Sequence, residues 1–307
     1  MSGFWSGLSG KLAERWLSLL ALPGLLVLGT AVTAAALGHR RWHDVGLLAT
    51  HIGKLAGEPA MRNTGAVILV LLGVLGGSAA VGLTVQAFGW AIERLWTGRW
   101  PTLVARPLVA WRRRRWTRAT ERYRAALIAK HHALHQRSGD DRAPSEQARP
   151  PDTQRLNDAR LRIGLTEPAC PTWIGDRIAA AQTRIRDHYD LDLVFAWPRL
   201  WLVVPDTSRA QLMTASGRFS ASSRLVAWGL WYLTIGLWWW PSAVAGSVTV
   251  LVGWRLGRTS MDTLAHLVEA AVDVHGRELA TALGIESTKP LTPGAGLQIT
   301  HVVRKGA

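Results

Sequence analysis

The sequence predicts an all-α integral membrane protein with four transmembrane helices, two near the N-terminus and two in a C-terminal hairpin, joined by amphipathic cytoplasmic helices. Three observations predict it. Residues 64–92 and 225–254 contain no charged side chain, and Leu17 to Leu37 forms a third apolar run. The 36 Lys and Arg outnumber the 21 Asp and Glu, giving a net charge of +15, and the excess falls between the apolar runs. Tryptophans cluster where the runs end, as indoles do at membrane interfaces.

The N-terminal unit, residues 1–92, opens with the span Leu17 to Leu37, which is about 30 Å of helix and enough to cross a hydrocarbon core. Its basic start and small-residue end imitate a leader. The apolar stretch exceeds the usual leader core and another span follows closely, so an uncleaved anchor is expected. Residues 38–63 read as a short polar loop. The 29 uncharged residues from Thr64 to Ile92 exceed the core thickness, so this helix should tilt or emerge, with Trp90, Trp96 and Trp100 at its exit.

Residues 93–137 form a basic juxtamembrane arm. From 91 to 137 there are twelve Arg or Lys against two Glu, a balance that keeps a segment in the cytoplasm. Pro101 and Pro107 should interrupt the chain before a helix whose apolar positions are Trp116, Ala119, Tyr123, Leu127 and Leu134. Residues 138–153 carry three prolines and no apolar period, which predicts a disordered linker. A cytoplasmic helical or interfacial segment, 154–218, follows. Within it Thr172 should cap a helix that lines Ile174, Ile178, Ala181, Ile185 and Tyr189 on one face. Leu191 to Pro205 is too short and broken for a span and reads as an interfacial or buried loop.

The unit 219–284 is expected to be a hairpin with an extended C-terminal helix. Thirty uncharged residues are many for one span, and Arg218 and Arg224 before the run with Arg255 and Arg258 after it place both ends inside. The turn should fall at Trp238-Trp239-Trp240-Pro241. The second limb continues through Met261, Leu264, Val268, Ala271, Val272, Leu279 and Leu283 to a C-cap at Gly284. Residues 285–307, rich in Pro and Gly, read as a flexible tail. This topology puts both termini in the cytoplasm of a bacterial plasma membrane, with 38–63 and Trp238 to Trp240 outside. The Arg, Ala and Gly bias behind the bacterial assignment is compositional: all but five of the basic residues are Arg.

Pro171-Thr172 with Gly175-Asp176, Tyr189 with Leu191-Asp192, Trp197-Pro198-Arg199-Leu200, Pro205-Asp206 and Ala282-Leu283-Gly284 form a motif set. In these residues the stretch from about 160 to 285 resembles an uncharacterised family of bacterial, actinobacterial-like multi-pass membrane proteins with PTxxGD, WPRL and C-terminal ALG motifs. The family pattern has Gly where Asp190 stands and a charged helical repeat where Ser216-Gly217 stands. The resemblance implies architecture and carries over no catalytic residue.

Candidate chemistry is sparse, and no cofactor is expected. Nucleotide-loop, dinucleotide and nucleophile-elbow motifs are absent from the sequence, and one cysteine, Cys170, excludes an internal disulfide. Spans without interior charges disfavour a coupled transporter. His131, His132 and His135 read as solvated histidines beside a polybasic patch, and Cys170 lacks an evident activating base. Two clusters stand out. Arg112, Arg113, Arg114 and Arg115, framed by Trp111 and Trp116, suit anionic lipid better than nucleic acid because they adjoin a membrane exit. Asp262, His266, Glu269 and Asp273 form a stripe on the C-terminal helix, read as a docking face rather than a metal site. The arm's net positive charge predicts that it docks on this stripe. Small residues four apart, such as Gly73 with Gly77 and Ser242 with Gly246, permit close helix contact within one bundle or in a homo-oligomer.

The expected function is a non-enzymatic inner-membrane scaffold or adaptor that presents its cytoplasmic helices to an unidentified protein partner. The alternative is an oligomerising, pore-type effector of a bacterial conflict system, and a weaker third is a membrane enzyme using the acidic stripe.

Overall fold

The computed structural model describes residues 22–57, 63–137, 152–285 and 290–304. The start of the predicted first span and most of the predicted linker lie outside the described residues. Ten helices and no strand occur among the described residues, so the chain is all-α. They are α1 Leu22–Leu37, α2 Val45–Gly57, α3 Thr64–Trp96, α4 Thr102–Arg137, α5 Thr153–Leu161, α6 Trp173–Tyr189, α7 Leu193–Val203, α8 Asp206–Ile235, α9 Trp240–Ala282 and α10 Pro293–Arg304. By length and composition, one of them, α3, is apolar enough to cross a membrane, and α1 and α7 are shorter apolar helices. The apolar parts of α8 and α9 share those helices with polar halves. The chain divides into unit 1, residues 1–93 with 218–257, and unit 2, residues 94–217 with 258–307.

In unit 1 the predicted hairpin is present. α8 ends at Ile235 and α9 begins at Trp240, with Pro241 in its first turn, where its missing N–H leaves no hydrogen bond unmade. The limbs approach closely through glycines: a Cβ at Gly246 would stand 2.7 Å from the Leu233 nitrogen and 2.8 Å from the Gly229 carbonyl oxygen. Gly253 lies against Val226 and the Ser222 carbonyl in the same antiparallel register. Ser78 on α3 is buried against Gly24 on α1. A small apolar cluster of Val27, Ala34, Val81 and Ile235 completes the packing.

The α1–α2 turn meets the hairpin turn. His39 Nε2 bonds the Leu237 carbonyl at 3.0 Å, and His39 Nδ1 accepts from the Trp240 N–H at 3.2 Å, an arrangement of the neutral ring protonated at Nε2. The Trp239 indole donates to the Trp42 carbonyl, and the Trp42 and Trp240 rings meet edge to face. Residues 38–44 and 236–240 therefore lie at one end of unit 1. Glu93, which accepts from Ser223 Oγ at 3.0 Å, lies with the Ser223 region of α8 toward the other. One expectation fails here: the supposed loop 38–63 contains α2, whose apolar period runs through Val45, Leu48, Ile52 and Leu55.

Unit 2 is built differently. Ile185, Leu191, Ala196, Leu200, Leu212, Val272, Leu279 and Ile299 form an apolar core to which α6 to α10 all contribute. α6 begins as predicted, with Thr172 Oγ1 accepting from the Gly175 N–H. It ends on Asp190 in the left-handed conformation, φ 52°, which glycine adopts at least cost. Three expectations are corrected. Leu191 to Pro205 is mostly helix: Asp192 caps α7 and the internal Pro198 is tolerated. Pro107 lies inside α4, so only Pro101 interrupts the arm. The supposed tail forms α10. Pro293 fits a first helical position, and Ala295, Gly296, Ile299, Thr300 and Val303 make a buried stripe. Gly296 sits so close to the Tyr189 carbonyl that any Cβ would overlap it. The last two residues of the predicted linker also belong to a helix start, since Asp152 caps α5.

Candidate functional site

The Arg-Trp run on α4 does not present one face. Arg112 points inward and is 8% exposed. Its Nη1 meets Asp176 Oδ2 at 2.5 Å and the Cys170 carbonyl at 2.6 Å, and its Nη2 reaches the Ile163 carbonyl at 2.5 Å. Asp176 Oδ1 accepts from the Ala169 and Cys170 N–H groups at 2.8 and 2.6 Å. The Pro171-Thr172-xx-Gly175-Asp176 motif is thus a clasp: Thr172 caps α6 and also donates to the Trp96 carbonyl, while Asp176 ties the preceding loop to α4. Arg113 donates to the Pro168 carbonyl, and the Trp116 indole to the Gly164 carbonyl. The lipid-facing group expected at Trp111, Arg112, Arg113, Arg114, Arg115 and Trp116 is corrected accordingly. Arg112 is buried and Trp116 half-buried in unit 2, whereas Trp111, Arg113, Arg114 and Arg115 are exposed, Arg113 while bonded to the loop and Arg115 with its guanidinium 5.6 Å from the Trp111 ring centre.

The acidic stripe meets α6 rather than the basic arm. Arg177, whose side chain is fully buried, bonds Asp262 Oδ1 at 2.6 Å and Glu269 Oε1 at 2.9 Å. Glu269 also pairs with Arg184 at 3.0 Å, and Asp273 accepts from the Tyr189 hydroxyl at 2.9 Å. His266 borders the cluster, 3.7 Å from Asp262 Oδ1 and 62% exposed. The reason for the correction is geometric. The arm's inward guanidinium is already committed to Asp176, while α6 carries Arg177 and Arg184 two turns apart beside its apolar face. Arg177, Asp176 and Arg184 were missed as site residues. The discoverable signal was a charge bordering the stripe Ile174, Ala181 and Ile185, where burial demands a counter-charge.

Other candidates have little reactive character. Burial pushes the Cys170 thiol up from its ordinary value and the Asp176 carboxylate adds to this, with Arg112 opposing, so the thiolate is disfavoured at neutral pH. His131 and His135 are exposed, with Nε2 atoms 3.2 Å apart. Among the described residues no group of three or more His, Cys, Asp or Glu is placed to hold a metal. A pocket of about 400 Å³ beside Arg184, Tyr189, Glu269 and Asp273 is lined by groups already bonded to one another, Asp187 and His188 apart.

At the dock of α10, burial works to raise the Asp192 carboxyl, but bonds from Arg304 at 2.7 Å and from the Val194 N–H outweigh it and hold the group below the usual carboxylate range. No protein-family model, curated protein or solved structure matches the chain.

Proposed function

We propose that the chain is a multi-pass protein of a bacterial plasma membrane and acts as a non-enzymatic scaffold or adaptor. Unit 1 supplies four spans, α1, α3 and the two hairpin limbs, and unit 2 is a cytoplasmic helical platform. The limbs from 218 to 235 and from 240 to 257 are each about 27 Å long, close to a hydrocarbon core. The shared end of the 38–44 and 236–240 turns supports an even number of passes, with both termini in the cytoplasm.

The observation that carries the scaffold reading is the internal use of charge. Arg112 with Asp176, and Arg177 with Asp262 and Glu269, act as struts between helices, so the side chains that looked available for chemistry are engaged with one another. Such buried pairs specify one arrangement of helices more than they stabilise it. The exposed positions Trp111, Arg115, Arg118 and Arg122 recur at i, i+4, i+7 and i+11 on α4 and would hold this face on an anionic leaflet, each Arg contributing roughly 1 kcal/mol. A phosphate-rich nucleic acid is the weaker partner because no aromatic besides Trp111 is exposed along that stripe for stacking.

Inducing the full-length chain in cells loaded with a membrane-potential dye tests the reading. The scaffold leaves the potential unchanged, and a photo-crosslinking residue at Leu202, 78% exposed on α7, gives a discrete adduct with another protein. Depolarisation on induction would turn the reading to the pore-type effector, and self-adducts alone to a homo-oligomer.

A further inference from the structure

Unit 1 contains a groove of about 590 Å³ between α3 and the first half of the α8 limb, closed at one side by Pro23 of α1. Its walls are mostly apolar: Val85, Trp90, Leu225 and Trp228. One end carries Glu93 and Arg224. Their positions in the sequence fix the depth of that end. Glu93 is the first charge after the 29 uncharged residues of α3, and Arg224 is the last charge before the thirty that follow it. Both therefore mark the boundary between hydrocarbon and headgroups on the membrane reading proposed above, on which this inference rests.

The two charges share the groove without pairing with each other. Glu93 is half-buried and takes its hydrogen bond from Ser223. The Arg224 stem packs on Gly89, where a Cβ would stand 3.0 Å from its Cγ, so the missing side chain at 89 gives the arginine its place beside α3. Gln86 adds a neutral donor and acceptor along the same wall. An apolar channel that ends in one carboxylate and one separate guanidinium matches an amphiphile with one anionic and one cationic group. A cavity of a few hundred Å³ suits a headgroup and the start of its chains rather than a whole lipid.

The geometry points to a binding site for an amine-bearing zwitterionic phospholipid of the ethanolamine type. Arg224 takes the phosphate, whose oxygens a guanidinium can bind two at a time. Glu93 accepts from the ammonium, and the acyl chains leave along Val85, Leu225 and Trp228. A site built this way discriminates by the N–H donors of the headgroup. A glycerol headgroup leaves Glu93 facing no cation, and a trimethylated amine offers no proton to it.

The test uses the full chain, purified in mild detergent, stripped of lipid, titrated with defined phospholipids and read by native mass spectrometry. The expected order of retention is phosphatidylethanolamine, then its mono- and dimethylated forms, then phosphatidylcholine and phosphatidylglycerol, with roughly tenfold between the ends, as one lost charge-assisted hydrogen bond implies. Glu93→Gln should flatten that order without abolishing binding. Arg224→Gln should weaken every phospholipid, and Arg224→Lys should restore part of it. Arg114→Gln with Arg115→Gln, distant in sequence and on another unit, should leave the order unchanged. A wild-type chain that retains phosphatidylglycerol as well as phosphatidylethanolamine overturns the site, and so does a methylation series without a trend, which needs no variant to fold. Recovery of the chain from the soluble fraction without detergent would instead remove the membrane reading itself.

Discussion

Unit 1 and unit 2 are both all-helical, yet they are held together by different means. In unit 1 helices meet through Gly24, Gly229, Gly246 and Gly253, where backbone approaches backbone, and large apolar side chains point outward. Ile68, Leu69, Val70, Leu71 and Leu72 are consecutive, 45–71% exposed, and so surround a full turn of α3. Unit 2 also exposes large apolar side chains such as Leu103, Leu202 and Val274, but it buries a cluster built on Ile185, Leu200, Leu279 and Ile299, with buried arginines answered by carboxylates. The difference is the one expected if lipid surrounds unit 1 and water surrounds unit 2, as proposed above. Where the surroundings are as apolar as leucine, burying leucine gains little and close packing of small residues holds helices together. In water, apolar burial dominates and a buried charge must be paired.

The comparison predicts opposite sensitivities, and the largest effect belongs to unit 2. Asp262→Asn with Glu269→Gln leaves the fully buried Arg177 without a counter-charge and should destabilise unit 2 by about 3–5 kcal/mol, measured by denaturant unfolding in mild detergent. Asp176→Asn should cost somewhat less, because the amide still accepts from the loop N–H groups. In unit 1 the damaging change is an addition: Gly246→Val drives a side chain into the Leu233 nitrogen and the Gly229 carbonyl, with an expected loss of about 1–3 kcal/mol or more. A blue-shifted, unaltered tryptophan emission in that variant would mean the limbs do not pack as described, since Trp228, Trp231 and Trp239 border the same cluster.

Acid should separate the units as well. The Asp192 carboxyl is held below its ordinary value, so its contribution to docking α10 is present above about pH 4 and disappears as pH falls through the lowered value. Asp192→Asn should remove that part of the acid sensitivity of unit 2. The smallest effect concerns Asp190, whose left-handed conformation suits glycine: Asp190→Gly should raise the unfolding free energy of unit 2 by no more than about 1 kcal/mol.

Much of this organisation was legible in the sequence because it rests on local chemistry. The Thr172 cap, the hairpin turn before Pro241, the apolar face from Ile174 to Ile185 and the Gly284 end of α9 each follow from residue type and spacing. α10 and α7 were missed for a common reason. Proline and glycine were read as breakers, but Pro293 stands at a helix start, Pro198 inside a short helix, and Gly296 is there for contact with the Tyr189 carbonyl, a partner 107 residues away. The candidate site was half legible. The acidic stripe stood out in the sequence, whereas its contact with Arg177 and the inward turn of Arg112 depend on which helices meet, and one-dimensional charge counting paired the wrong two.

The claim on which the rest depends is that lipid surrounds unit 1, and spin labels placed one at a time at residues 68 to 72 in a Cys170→Ala background test it most directly. In the reconstituted protein every one of the five positions should collide freely with oxygen and poorly with a water-soluble nickel complex. Nickel accessibility like that of water at these positions, or protection recurring every three to four residues as if another protein covered one face of α3, would contradict the account.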